Sequence, residues 1–176
     1  RVIGVNLDAI KRGEDRETFK ETMARLGIET PRSEIATTMA EAQEILERIG
    51  LPVVIRPAYT MGGTGGGFAY NKEEFATIVG RGLAASPVSQ VLIEESVLGW
   101  EELELEVVRD ASSQKITVCF IENVDAMGVH TGDSYCTAPM LTISPELQDR
   151  LQRYSYAIVD AIEVIGGTNV QFAHDP

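Results

Sequence analysis

The chain has 176 residues, 44% hydrophobic and 24% charged, a globular composition long enough for one good core or two small ones, which excludes a disordered chain. Its 15 basic and 27 acidic residues leave a net charge of −12, which opposes nucleic acid on any broad surface but permits one local basic site for a small phosphate. No apolar run approaches the roughly 20 residues of a membrane span, and Arg1-Val2-Ile3-Gly4 is no signal peptide, so no membrane contact and a soluble, cytoplasmic protein are expected.

In chain order, Phe19, Met23 and Leu26 recur at helical spacing, with Asp15 as N-cap, Arg16 in the first turn and Gly27 as the stop. Thr38 and Glu41 have capping-box spacing ahead of Ile45, Leu46 and Ile49, and Gly50 ends that second helix. Val53-Val54-Ile55 reads as a strand, followed by a glycine run and a second strand at Phe68-Ala69-Tyr70. Asn71 and Glu74 repeat the capping logic for a helix carrying Phe75, Ile78, Val79 and Leu83, which Ser86-Pro87 closes before a strand at Val91-Leu92-Ile93. From residue 102, Glu102, Glu104 and Glu106 alternate with Leu103, Leu105 and Val107, a period of two that puts the carboxylates on one strand face. Ile116 to Ile121 would pair with it antiparallel across a turn near Ala111-Ser112-Ser113. Ser144-Pro145 opens a long helix with Leu147, Leu151, Tyr154, Ile158 and Ile162 on one stripe; Gly166-Gly167 ends it, and Asn169 to Phe172 starts a strand.

Gly62, Gly63, Gly65, Gly66 and Gly67 fall within six positions, directly after the strand that ends in Arg56. Glycine reaches positive φ and lets backbone approach a ligand, so consecutive N–H groups can converge on anionic oxygens beside the fixed arginine charge. A flexible linker is the plain alternative, but the bracketing strands favour a phosphate loop. No Lys-Ser or Lys-Thr closes it and no G-x-G-x-x-G can be read, so neither a P-loop nor a Rossmann site fits.

A nucleotide held by such a loop needs cations on its phosphates, a carboxylate on its ribose and a divalent metal. Arg56 and Arg16 are the candidate phosphate ligands. Glu94-Glu95 closes a strand that could present backbone to an adenine edge or be a solvated acidic turn. Glu102 could accept from ribose hydroxyls, although such alternation on a half-exposed strand also serves solubility alone. His130 lies in a polar loop, where a lone histidine is as readily incidental as catalytic. Asn169 and Gln171 are expected to face opposite ways, so that at most one enters a site. Cys119 and Cys136 are read as reduced structural thiols, and with only His130 and His174 beside them no zinc-type spacing exists. Without an initiating Met, Arg1 is expected to be an internal position of a longer chain.

Several ordered segments carry a family resemblance. Ala9-Ile10 through Glu14-Asp15-Arg16, Ile55-Arg56-Pro57 through Met61-Gly62-Gly63-Thr64-Gly65-Gly66-Gly67, Gly99-Trp100-Glu101-Glu102, Glu106 to Asp110, Ile121-Glu122-Asn123, Asp125 to Ser134 and Asn169 to Ala173 resemble the large subunit of carbamoyl-phosphate synthase, essentially end to end. The intact glycine loop is similar to that of its first ATP-grasp half. The resemblance implies an α+β ATP-grasp fold: an opening helical segment (1–27), a lid-like subdomain with the glycine loop (28–97) and a core subdomain (98–176) with an antiparallel sheet, incomplete at its C-terminus.

It further implies that bicarbonate attacks the γ-phosphate of ATP to give carboxyphosphate, with Mg²⁺ or Mn²⁺ as cofactor. The implied partners are a small glutaminase subunit supplying ammonia and the remainder of the large subunit. Carried over by position, Arg16, Arg56, Gly62 and Gly63 would hold phosphates, Arg56 acting in catalysis. Glu95 and Val97 would meet the adenine and Glu102 the ribose; Gly128, Val129 and His130 would line the pocket, and Gln171 would bind the metal. Val97 stands where a leucine is common, a change that a backbone contact tolerates, and the spacing before Asn169 is slightly short. The family's glutamate and asparagine metal ligands and its bicarbonate arginines are expected beyond Pro176, so the fragment alone is expected to be inactive. The rival readings are another ATP-grasp ligase such as a biotin carboxylase relative, which usually has lysine at the Arg56 position, and a nucleotide sensor without catalysis.

Overall fold

The computed structural model describes residues 4–60, 64–129 and 134–176. The chain folds as two compact units, one of residues 31–97 and one that joins residues up to 30 with 98–176.

The smaller unit is a four-stranded antiparallel sheet in the order β1 (Ser33–Ala36), β4 (Val91–Glu95), β2 (Val53–Pro57), β3 (Gly67–Ala69). Two helices, α3 (Met39–Ile49) and α4 (Lys72–Ala85), cover one face. Both start where side-chain caps dictate: Thr38 accepts from the Glu41 N–H and Asn71 from the Glu74 N–H. The core joins Ala42, Ile45 and Ile49 of α3, Phe75 and Val79 of α4, and Val53, Ile55, Val91 and Ile93 of the sheet. Alternation therefore leaves Ile35, Val54, Arg56, Phe68, Leu92 and Glu94 on the other face.

The larger unit has a second antiparallel sheet in the order β7 (Cys136–Thr137), β6 (Lys115–Asn123), β5 (Glu101–Arg109), β8 (Gly166–His174). The long α5 (Pro145–Ile162) packs Leu151, Ile158, Val159 and Ile162 on Leu103, Leu105, Val107 and Val170. Two further helices, α1 (Leu7–Glu14) and α2 (Arg16–Leu26), add Ala9 and Met23 to that core. α2 runs from its Asp15 cap to Gly27, whose φ of 68° closes the helix.

Three expectations need correction. Gly166-Gly167 does not end α5: the helix stops at Ile162, with Glu163 left-handed at φ 62°, while Arg12 donates to the Ile162 carbonyl at 2.8 Å. The two glycines instead begin β8, opposite Arg109 and Val108. Asn169 and Gln171 share one face of β8, because residues two apart on a strand project to the same side. The cysteines are both free, as expected of reduced thiols, but Cys136 is exposed rather than in a structural place, and Cys119 is half-buried.

Candidate functional site

In the smaller unit, Arg56 leaves the core because Val53 and Ile55 take the inward positions of β2. Its Nη2 lies 3.0 Å from Glu94 Oε1, and half of the arginine side chain is still exposed. Glu94 stands opposite Val54 in the β2–β4 register, so the pair is diagonal across neighbouring strands. Glu95 points the other way, and both its carboxylate oxygens are engaged by Arg32: the N–H donates at 2.8 Å and Nε at 2.6 Å. A ligand at Glu95 would therefore meet backbone rather than carboxylate. Val97 follows at the end of this unit, half-buried.

The glycine loop connects β2 to β3, which pair from Val53 opposite Ala69 to Ile55 opposite Gly67. Gly62 and Gly63, the two positions assigned to phosphates, lie outside the described residues, as does His130. Arg16 stands exposed at the first position of α2, in the larger unit.

Also in the larger unit, the carboxylates of β5 form a connected polar face with β6 and β8. Gln171 Nε2 donates to Glu102 Oε1. Asn169 Nδ2 bridges Glu104 Oε2 at 2.8 Å and Glu106 Oε1 at 2.9 Å, and Asn123 Nδ2 donates to Glu104 Oε1 at 2.8 Å. Burial pushes the Glu102 carboxyl above the usual glutamate range and the Glu104 charge adds to this, against the lowering by Gln171. Three amides thus hold three like charges together, and in Gln171 the engaged nitrogen leaves the amide oxygen as the end able to meet a cation. Among the described residues no cluster of three or more His, Cys, Asp or Glu side chains is arranged to hold a metal ion.

The loop that carries Gly128 and Val129 is fixed at its base. Met127 N–H donates to the Trp100 carbonyl at 2.8 Å and Gly99 N–H to the Met127 carbonyl at 3.1 Å. Gly128 sits at φ 106°, a conformation that calls for glycine; a Cβ there would also meet Leu98 Cδ2 at 2.0 Å, the movable end of a side chain. Val129 is exposed. A cavity of about 290 Å³ beside this loop is lined by Glu101, Leu103, Asn123, Asp125 and Thr142, on the same unit.

Sequence reasoning reached the alternating glutamates but not their partners. Glu94, Asn123 and Asn169 meet their partners through cross-strand register, which local spacing does not contain.

The two sheets with their helices are an ATP-grasp architecture. The biotin carboxylase domain of 2-oxoglutarate carboxylase from Hydrogenobacter thermophilus, solved with MgADP and bicarbonate, superposes with a TM-score of 0.78 at 22% identity, covering 98% of this chain and 39% of that one. D-alanyl-alanine synthetase A from Vibrio cholerae gives 0.76 at 14% identity, over 97% of this chain and 54% of the other. At these identities the likeness is one of fold.

Residues 15–176 match the family model of the carbamoyl-phosphate synthase L chain, ATP binding domain, and the chain belongs to that family. It is 55% identical to the arginine-specific large chain of carbamoyl phosphate synthase from Arabidopsis thaliana, a chloroplastic protein, over 99% of its own length. Against the large chain from Myxococcus xanthus it is 52% identical over 100% of its length. The chain spans only about 15% of the first of these relatives and 16% of the second.

Proposed function

We propose that this chain is part of the first, carboxyphosphate-forming ATP-grasp half of a carbamoyl-phosphate synthase large subunit. The parent protein would use ATP to phosphorylate bicarbonate, and ammonia released from glutamine by a small subunit would convert the carboxyphosphate to carbamate. Family membership across residues 15–176, with the glycine loop intact, carries the reading. Localisation is not fixed by the family: among the described residues no helix is long and apolar enough to cross a membrane, and one relative is chloroplastic.

In this reading Arg56 and Arg16, with the N–H groups of Gly62 and Gly63, neutralise the phosphates. Phosphoryl transfer depends mainly on positioning and charge neutralisation, which this set supplies. Backbone at Glu95 and Val97 meets the adenine, consistent with a Glu95 side chain already engaged by Arg32. Glu102 accepts from the ribose, and Gly128, Val129 and His130 line the nucleotide. Gln171 offers its amide oxygen to Mg²⁺ or Mn²⁺, oriented by its hydrogen bond to Glu102. A neutral amide is a weak ligand, so further carboxylates from the parent chain complete the metal site. Bound there, the metal would supply positive charge against the charge that develops on the phosphates.

Arg56→Ala in the full natural chain tests the assignment. The ion pair with Glu94 is partly exposed and worth under about 1 kcal/mol, so the melting temperature should hold while bicarbonate-dependent ATP cleavage falls about a hundredfold or more. Unfolding of the variant, or undiminished cleavage, would remove Arg56 from the site.

A further inference from the structure

We infer that Arg81 on α4 is a positioning residue for the glycine loop, holding its C-terminal end, residues 65–67, where the loop enters β3; this rests on the phosphate role proposed above. Arg81 Nη2 donates to the Gly66 carbonyl at 2.9 Å. Carbonyl and N–H are locked in one plane across a peptide bond, so that contact fixes the orientation of the 66–67 peptide.

Next to it the backbone is tightly packed at Gly65 and Gly82, whereas a Cβ on Gly67 would make only ordinary contact, 3.5 Å from Ile78 Cδ1. Gly65 has φ 79°, and a Cβ there would lie 2.7 Å from Ala85 Cβ and 3.4 Å from the Arg81 carbonyl. Gly82, buried on the same helix, would place a Cβ 2.9 Å from Val91 Cγ1, 3.2 Å from Pro57 Cγ and 3.4 Å from the Gly65 carbonyl. Both feet of the loop, Pro57 on one side and Gly65 on the other, thus rest on one turn of α4. Gly65 and Gly82 are required for that contact rather than for ligand approach. A binding loop held in its bound arrangement loses less freedom on binding, so weakening this hold lowers affinity for the part of the ligand that the loop touches.

The phosphates are that part, which gives a readout that a purely structural arginine would not move. In the full natural chain, KM for ATP in bicarbonate-dependent cleavage would be measured beside competitive inhibition by adenosine, which carries no phosphate. Arg81→Met should raise KM for ATP about tenfold with kcat within about twofold and adenosine inhibition unchanged, and Arg81→Lys, which keeps a charged donor, should recover part of the loss. An unchanged ratio of ATP to adenosine affinity in Arg81→Met overturns the inference. Gly63→Val separates the two readings. If it abolishes ATP preference while Arg81→Met does not, only the role of Arg81 falls; if neither alters the preference, the loop does not bind phosphate and both readings fall.

Discussion

Glu102 illustrates how a candidate ligand is tuned by its own strand. Period-two spacing that puts Glu102 on the open sheet face also puts Glu104 there, and burial together with that charge raises the Glu102 carboxyl above the ordinary glutamate value. Between the ordinary and the raised value the folded chain binds more protons than the unfolded one, so this carboxyl's contribution to stability is greatest at low pH and declines as pH rises through that window. Glu102→Gln removes the repulsion. Its urea midpoint should therefore lose less between about pH 4 and about pH 7 than that of the parent, while affinity for ATP falls relative to an analogue lacking ribose hydroxyls. A parallel decline in both proteins would show that the raised carboxyl does not govern this range. The alternating carboxylates were legible from spacing alone, whereas the shared face of Asn169 and Gln171 runs against the sequence-based expectation: the same period-two rule, applied to β8, places them together.

Among the elements, helices with a side-chain cap ahead of an apolar stripe were the easiest to read; α1 has the cap, Asn6, without the stripe. Asp15, Thr38, Asn71 and Ser144 each accept from the N–H three residues on, and each stands directly before a helix. The elements that escaped notice carry little apolar pattern. α1 buries only Ala9 and exposes Leu7, while β1 has a single fully buried residue, Ala36, and β7 is two residues long. The end of α5 was also illegible, because distant partners fix it: Arg12 takes the Ile162 carbonyl, and Arg109, 9% exposed, takes the Val164 carbonyl at 2.9 Å and Asp160 Oδ1 at 2.8 Å. Lys115 reaches Asp160 Oδ2 at 2.6 Å, and although burial raises the Asp160 carboxyl, Lys115 and Arg109 together hold it below the usual aspartate range. Asp160→Asn leaves buried Arg109 without its counter-charge. It should cost roughly 2 kcal/mol by urea denaturation at neutral pH, less than a fully buried pair because Asp160 is 43% exposed. The difference from the parent should shrink in acid as the parent's Asp160 protonates. Equal stability at neutral pH would mean that the α5–β8 corner is held by packing alone.

At the scale of the whole molecule, the sequence indicated an α+β chain with one helix-covered antiparallel sheet around the glycine loop and another after residue 98, and both sheets are present. That the first thirty residues belong with the later unit was not legible, since the docking of α1 and α2 on α5 joins positions far apart in the chain. Motif order, rather than composition, carried the family. Whether the parent protein activates bicarbonate with ATP, as proposed, is read from ADP release by the full natural chain with Mg-ATP, first in bicarbonate-depleted buffer and then after bicarbonate is added. Bicarbonate should stimulate ADP release in the absence of biotin. ATP binding without stimulation, or stimulation only when biotin is present, would contradict it.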